Sequence, residues 1–213
     1  MTTFRGLRCF LMPAALLSFC VPAWSESRWK LQYIHDEDKS NLVLVDIQFS
    51  SPQSGIAAGV LQQKHSSKPT SLLTTDGGEH WTAAPLPDGP RSLFAAPDGR
   101  IYLVGESGVW ISNEGGRDWK RILKNKRLTH VYFLDAQHGY AVGAMKTVLE
   151  TKDSGGTWKE VAAADEPSTT EERTTYNWIT FWTPEKGLIV GRSSSVERNE
   201  RIPLWMDTDP EYR

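Results

Sequence analysis

A short motif that recurs three times at nearly constant spacing constrains the fold of this chain more than any other feature. Each copy reads Ser/Thr-x-acid-x-Gly-x-x-Trp and ends at Trp81, Trp119 or Trp158, so that the copies lie 38 and 39 residues apart. Repeats of this length are typical of propellers and solenoids. We therefore expect an array of similar units rather than one irregular domain.

Each position of the motif has a mechanical role in a tight turn. The acid can accept backbone N–H bonds across the turn, glycine can take the positive φ that other residues resist, and tryptophan buries a large flat surface at the start of the next strand. We expect these residues to be structural rather than catalytic. They are Thr74, Asp76, Gly78 and Trp81; Ser112, Glu114, Gly116 and Trp119; and Thr151, Asp153, Gly155 and Trp158.

A second signature precedes each motif and occurs four times. It is a phenylalanine followed by two glycines that bracket a short apolar strand of the kind buried on both faces. Its copies are Phe49, Gly55 and Gly59; Phe94, Gly99 and Gly105, with small changes in length; Phe133, Gly139 and Gly143; and Phe181, Gly187 and Gly191. Each unit then reads as four strands, which is one blade of an all-β propeller.

The repeats predict four blades, at about residues 43–86, 91–124, 128–162 and 176–209. The fourth lacks a tryptophan-led strand, whereas residues 29–34 resemble such a strand without a blade in front of it. Propellers commonly close by letting one terminus complete the blade begun by the other. Two interpretations remain open: a compact ring of four blades closed by residues 29–34, or a shortened part of a longer propeller.

The repeated motif resembles the Asp-box, or BNR repeat, of β-propellers such as sialidases and sortilin-type receptors. With the tandem Phe-Gly-Gly units, the chain is most similar to the photosystem II stability/assembly factor-like family, over roughly residues 29 to 209. Glu114 departs from the aspartate of that pattern. The resemblance implies a non-catalytic propeller that holds membrane-protein subunits during assembly.

Residues 1–25 are typical of a secretory signal peptide. Arg5 and Arg8 precede an apolar run from Cys9 to Val21, and Ala23-Trp24-Ser25 forms a small-x-small cleavage site. We expect a secreted or periplasmic protein without stable membrane insertion after cleavage. Both cysteines, Cys9 and Cys20, would be removed with the signal, so that disulfides and thiolate chemistry are not expected.

The net charge of −2 gives no bias toward nucleic acid. The expected partner is a protein, and a membrane-protein subunit is the narrower expectation. Blades one and four carry longer connections after their second strands, on the face opposite the Asp-boxes. Long loops on a rigid scaffold are usual places for binding, and basic side chains there could engage carboxylates or phosphates. The candidate partner-binding residues are Lys64, His65, Lys68, Arg192, Arg198 and Arg201. If the ring closes, the two sets would meet.

The alternative function is a sialidase-like glycan-binding or glycoside hydrolase fragment. Arg201-Ile202-Pro203 matches a sialidase element, but it follows all three Asp-boxes instead of preceding them. The repeats predict no facing pair of carboxylates of the kind that glycosidases use, and the histidines show no metal-ligand spacing. We therefore predict no catalytic residues, no cofactor and no metal site.

Overall fold

The computed structural model describes residues 30–37, 39–162 and 170–194. The chain divides into two compact units, Met1–Leu31 and Gln32–Arg213, and every strand described below lies in the second. The expected signal peptide at 1–25, Trp29 and the expected strand at 204–208 lie outside the described residues. Within the described ranges, no helix combines the length and apolarity needed to cross a bilayer.

In the described ranges, fourteen strands form four antiparallel sheets in chain order. Blade one contains β1 (Ser40–Phe49), β2 (Gly55–Gln63), β3 (Ser66–Thr74) and β4 (Thr82–Pro85). Blade two contains β5 (Pro90–Ala95), β6 (Ile101–Gly105), β7 (Gly108–Ser112) and β8 (Lys120–Lys124). Blade three contains β9 (Leu128–Phe133), β10 (Gly139–Gly143), β11 (Val148–Thr151) and β12 (Lys159–Glu160). In blade four, β13 (Thr174–Thr183) and β14 (Lys186–Ser193) follow a short 3-10 helix, Glu171–Arg173.

The first strands of successive blades are neighbours: β1 packs beside β5, β5 beside β9, and β9 beside β13. Such a succession of antiparallel sheets around a common line of inner strands is the architecture of a propeller. The structure therefore confirms the predicted fold class, an all-β propeller of four-stranded blades that is short or partial.

Each blade presents a front face to the preceding blade and a back face to the following one. Strand register identifies equivalent front-face positions. Ile47, Val131 and Ile179 each pair with the residue two positions after the glycine that faces the phenylalanine of their blade, and Leu93 pairs with the residue two positions after Ile101. Leu93, Val131 and Ile179 are 1%, 0% and 2% exposed, whereas Ile47 is 52% exposed. The front face of blade one is thus uncovered among the described residues.

The back faces are buried in the first three blades and exposed in the fourth. Two alternate residues of each second strand point to the following blade, and in the first three blades they pack in the interblade cores; these are Ile56 and Ala58, Tyr102 and Val104, and Tyr140 and Val142. Their counterparts in blade four are Leu188 and Val190, which are 53% and 49% exposed. The back face of blade four is therefore also uncovered in the described part of the chain.

The described blades form an open arc rather than a closed ring of four. In such a ring β1 and β13 would be neighbours, yet among the described strands they make no contact comparable to those between successive inner strands. The expected closing strand is residues 29–34, and its described part, residues 30–34, belongs to no sheet in the structure. The residues that they were expected to pair with, 204–208, lie outside the described ranges.

Blade two departs from the expected Phe-Gly-Gly signature. In the other blades Phe49, Phe133 and Phe181 face Gly55, Gly139 and Gly187, and an added Cβ at each glycine would fall within 2.8 Å of the ring. In blade two the equivalent pair is Ala95 and Ile101. The large side chain of this pair is therefore on β6 instead of β5. Phe94 points away from this pair and packs near Tyr132. The expected alignment of Phe94 and Gly99 with this signature is therefore wrong.

Candidate functional site

The Asp-box turns of blades one and three have the same hydrogen-bond pattern. In blade one, Thr74 Oγ1 accepts the Gly78 N–H at 2.9 Å and donates to Asp76 Oδ1 at 2.9 Å. Asp76 Oδ1 then accepts the His80 N–H at 2.9 Å. The third box repeats this pattern from Thr151 to Thr157. Gly78, Gly116 and Gly155 have φ near +90°, which glycine adopts without strain.

In the second box the acid that closes the turn is Asp118, not Glu114. Asp118 Oδ1 accepts the Ser112 hydroxyl at 2.8 Å and the Glu114 N–H at 2.9 Å. The expected role of Glu114 is therefore wrong. Aspartate is well suited to bond backbone groups a few residues away, and here it reaches back from the far side of the turn.

The carboxylates of Asp76, Asp118 and Asp153 accept hydrogen bonds from residues of their own turns. The pKa of Asp76 is lowered to about 2 by the hydrogen bond from the His80 backbone N–H and then by the His80 ring. That of Asp153 is lowered by the backbone and hydroxyl of Thr157, and that of Asp118 chiefly by the Ser112 hydroxyl. Carboxylates held ionised in this way act as hydrogen-bond acceptors within the turn.

The opposite ends of the blades form what we call the loop face: the β2–β3, β6–β7 and β10–β11 turns and the connections between blades. There the expected insert of blade one is an extended hairpin, with Lys64 and His65 at its turn and Lys68 within β3. Arg192 lies within β14, paired with Thr175. Arg198 and Arg201 lie outside the described residues.

The structure does not bring these two sets of residues together. Lys64, His65 and Lys68 belong to the first blade of the arc and Arg192 to the last, and the described strands of these two blades make no contact comparable to those of adjacent blades. The expectation that the two inserts meet depended on a ring of four.

A basic cluster at the middle of the loop face was missed from the sequence. The connection from β8 to β9 reads Lys124-Asn125-Lys126-Arg127, and Lys124, Lys126 and Arg127 are exposed. None of the three pairs with a carboxylate within the described ranges. Three basic residues in four, placed between a tryptophan-led strand and the next inner strand, would have indicated this cluster.

Hydrogen bonds from both neighbouring blades hold this connection in place. Arg91 Nη1 of blade two donates to the Lys126 carbonyl at 2.8 Å and to the Leu128 carbonyl at 2.7 Å. The Ala144 N–H donates to the Arg127 carbonyl at 2.8 Å, and Asn125 Oδ1 accepts the Arg127 N–H. The backbone is therefore fixed while three positive side chains remain available, which suits the recognition of carboxylates on a partner.

The inner strands bulge at one equivalent position in every blade, at Val45, Arg91, Thr129 and Asn177. Polar side chains at or beside these bulges bond to the next inner strand. Asp46 Oδ2 accepts the Leu93 N–H at 2.7 Å, Ser92 Oγ donates to the Thr129 carbonyl at 2.9 Å, and Thr129 Oγ1 donates to the Tyr176 carbonyl. Bulges re-aim side chains, and here they join the blades near the centre of the arc.

His130 lies in the joint between blades three and four. Its ring stacks on Trp178 with centroids 3.7 Å apart. Burial lowers the pKa of His130 to about 4, because the charged imidazolium would lose its hydration there. The side chain is therefore neutral at physiological pH and acts as a packing residue.

A cluster of titratable side chains lies at the Asp-box end of blade three. Glu150 Oε1 accepts the Tyr140 hydroxyl at 3.0 Å and lies 2.8 Å from His138 Nε2. Burial, followed by the hydrogen bond to Glu150, raises the pKa of Tyr140 to about 12. A tyrosine nucleophile would need the opposite shift. Within the described ranges, no group of His, Cys, Asp and Glu side chains could hold a metal ion.

The repeated turns and the open array of sheets define the class of this protein, an Asp-box β-propeller with a basic loop face. More particularly, the family model described as photosynthesis system II assembly factor YCF48 matches residues 122–197, about a third of the chain, from the end of blade two through β14. This match confirms the resemblance inferred from the motifs. Comparison with curated proteins gave no match.

Solved structures of similar proteins include both binding proteins and enzymes. A structure of YCF48 bound to a D1 peptide is 12% identical and covers 75% of this chain and 96% of its own, with a TM-score of 0.28. An ancestral GH74 enzyme is 18% identical and covers 63% of this chain and 22% of its own, with a TM-score of 0.51. The GH74 xyloglucanase from Xanthomonas campestris is 13% identical, with coverages of 64% and 32% and a TM-score of 0.45. The likeness to the ancestral GH74 enzyme, at 18% identity and a TM-score of 0.51, supports the propeller fold alone.

Proposed function

We propose that this protein is an exported, non-catalytic propeller that binds another protein and acts as an assembly factor for a membrane or periplasmic complex. The observation that carries the proposal is the match of blades three and four to the YCF48 assembly-factor model. The pattern of residues 1–25 supports export, because a basic start, an apolar run and a small-x-small site together are the features of a secretory signal.

The basic cluster on the loop face supports a protein partner with acidic side chains. Lys124, Lys126 and Arg127 stand on a backbone that Arg91 fixes, so their contacts with carboxylates require little further ordering of the backbone. Lys64, Lys68 and Arg192 extend the positive surface toward the ends of the arc, and Arg198 and Arg201 are proposed to add to it. Contacts at this face would set partner choice and association rate.

Charge reversal at the loop face tests the proposal. Detergent-extracted membranes would be incubated with the purified protein, crosslinked and analysed by mass spectrometry. We expect the triple variant Lys124→Glu, Lys126→Glu, Arg127→Glu to recover the main crosslinked partner at least 10-fold less well, since each close charge pair contributes on the order of 1 kcal/mol or more.

A matched control carries the same change of charge elsewhere. Arg117→Glu, Lys120→Glu and Lys159→Glu alter exposed residues at the Asp-box end and on the outer strands, and should leave recovery unchanged. Equal recovery by both triple variants would refute the loop face as the binding surface.

A second assay addresses the glycosidase alternative raised by the GH74 neighbours. Xyloglucan oligosaccharides, aryl glycosides and a sialoside would be incubated with the protein, and we expect no turnover. Hydrolysis that disappears on substituting Glu150 or Tyr140 would overturn the non-catalytic assignment, because these two residues form the described phenol–carboxylate pair.

A further inference from the structure

The two ends of the arc carry complementary surfaces. The front face of blade one is equivalent to the faces that, in blades two to four, are buried against a preceding blade. The back face of blade four is equivalent to those that blades one to three bury against a following blade. Since the same repeat forms both partners of each internal interface, the exposed front and back have the shape and chemistry to pack on each other.

Apolar side chains concentrate on these two exposed ends. On blade one, Val45, Ile47 and Phe49 are about half exposed. On blade four the exposed apolar side chains are Trp178 at 44%, Val190 at 49%, Leu188 at 53% and Trp182 at 65%. Contiguous apolar surface of this kind marks interaction sites on folded proteins. Phe49 and Phe133 illustrate the point: both pack edge-on against their Asp-box tryptophans, but only Phe133 is covered, by Tyr102 at a centroid distance of 4.0 Å.

Gln32 lies in front of blade one at a position equivalent to part of a preceding blade. In the third Asp-box, a Cβ added at Gly155 would touch Ile122 of the preceding blade's outer strand. In the first box, a Cβ at Gly78 would touch Gln32 instead. Both Ile122 and Gln32 stand three residues after a tryptophan. Gln32 thus lies where a residue of a preceding blade's outer strand belongs, and none of the described strands stands beside it as an inner strand of such a blade.

We propose that two copies of this protein assemble head to tail, each packing the front face of its blade one on the back face of the other's blade four. The segment around Gln32 of one copy then lies beside the fourth blade of the other. A head-to-tail interface gives a closed ring when the rotations between copies add up to a full turn. Two arcs of four blades would give a ring of eight, at the upper end of the roughly 4–8 blades usual for propellers.

This arrangement also unites the two basic inserts that a ring of four was expected to join. Blade one of one copy and blade four of the other become neighbours, which places Lys64 and Lys68 beside the hairpin that carries Arg192. The inference does not rest on the proposed function, although a partner-binding loop face would be completed by it.

Two variants with opposite defects test the assembly. Ile47→Glu alters the front face and Val190→Glu the back face, and both side chains are about half exposed, so the individual chains should still fold. By size-exclusion chromatography with light scattering, we expect the unaltered protein at twice the chain mass and each variant at the chain mass. Lys120→Glu, on the outer strand β8, should remain dimeric.

Mixing the two variants gives the discriminating result. A mixed dimer contains one interface with both faces altered and one with both faces intact, so dimers should reappear although neither variant forms them alone. If glutamate prevents folding, judged by circular dichroism, Ile47→Thr and Val190→Thr replace them, and at least a 10-fold weaker dimer is expected of each.

Three results would overturn the proposal. One is an unaltered protein that stays at the chain mass up to high micromolar concentration. A ring closed within a single chain would give this result. Another is a dimer that survives both substitutions, since a different surface would then hold it. The last is failure of the mixture to restore dimers, because the mixed dimer keeps one front–back interface with both faces intact.

Discussion

The first and third blades of this propeller place similar apolar residues at equivalent positions, yet only the third blade is buried on both faces. Ile47 and Val131 occupy equivalent positions on the inner strands, and Phe49 and Phe133 pack edge-on against the tryptophans of their boxes. Val131 and Phe133 are buried in the interblade core, whereas Ile47 and Phe49 are exposed. The comparison separates what a blade needs in order to form from what it gains by having a neighbour.

The largest expected difference comes from placing a charge at the two equivalent positions. Val131→Asp should prevent folding, because a carboxylate without a partner in this core costs several kcal/mol, on the order of the total stability of a domain. Ile47→Asp should leave a chain with the native circular dichroism spectrum. If both variants fold, or neither does, the front faces of blades one and three do not differ in burial as the structure indicates.

A pH titration of stability probes the joint between blades three and four. The pKa of His130 is about 4 in the folded protein against 6.5 as its ordinary value, because the ring is buried. The unfolded chain therefore binds the proton first, so stability is full above pH 6.5 and falls as pH decreases toward 4, by up to about 3 kcal/mol. Urea denaturation at pH 7.5, 5.5 and 4.5 measures it, and His130→Gln should flatten the slope.

Adding one methyl group at equivalent glycines gives an intermediate effect. At Gly139 and Gly55 an added Cβ would lie 2.6 and 2.7 Å from the rings of Phe133 and Phe49. Phe133 is held between two blades and cannot yield, so Gly139→Ala should destabilise by about 2 kcal/mol. Phe49 can swing into solvent, so Gly55→Ala should cost less than about half of that. Thermal unfolding of the two variants measures both losses of stability. Equal losses would contradict the difference in burial between Phe133 and Phe49.

The smallest effect is expected in the second Asp-box. Asp118→Ala removes the acceptor for the Ser112 hydroxyl and the Glu114 N–H, which should cost about 1 kcal/mol. Glu114→Ala should change the free energy of unfolding by less than about 0.5 kcal/mol. A larger loss from Glu114→Ala than from Asp118→Ala, measured by urea denaturation, would reverse the assignment of the turn acid.

The repeats allowed the blades to be predicted because their signals are local. A hydroxyl, an acid, a glycine and a tryptophan within eight residues define one turn, and the alternation of apolar residues around it defines the strands that the turn connects. In blade two, Ala95 and Ile101 replace the facing Phe and Gly of the other blades. This was not predicted, because the pair still fills the space between the two strands while the sequence pattern differs. The basic cluster at residues 124–127 was visible in the sequence but carries no repeat signal.

The sequence by itself determined the propeller fold, the number of described blades and the turns that join their strands, because each of these depends on residues close together along the chain. Only the tertiary structure decided which acid closes the second box, how Arg91 fixes the basic loop and that the arc leaves Ile47 and Val190 uncovered. Burial depends on which sheet lies opposite a side chain, and equivalent residues of a repeat are identical in sequence pattern whether or not a neighbouring blade covers them.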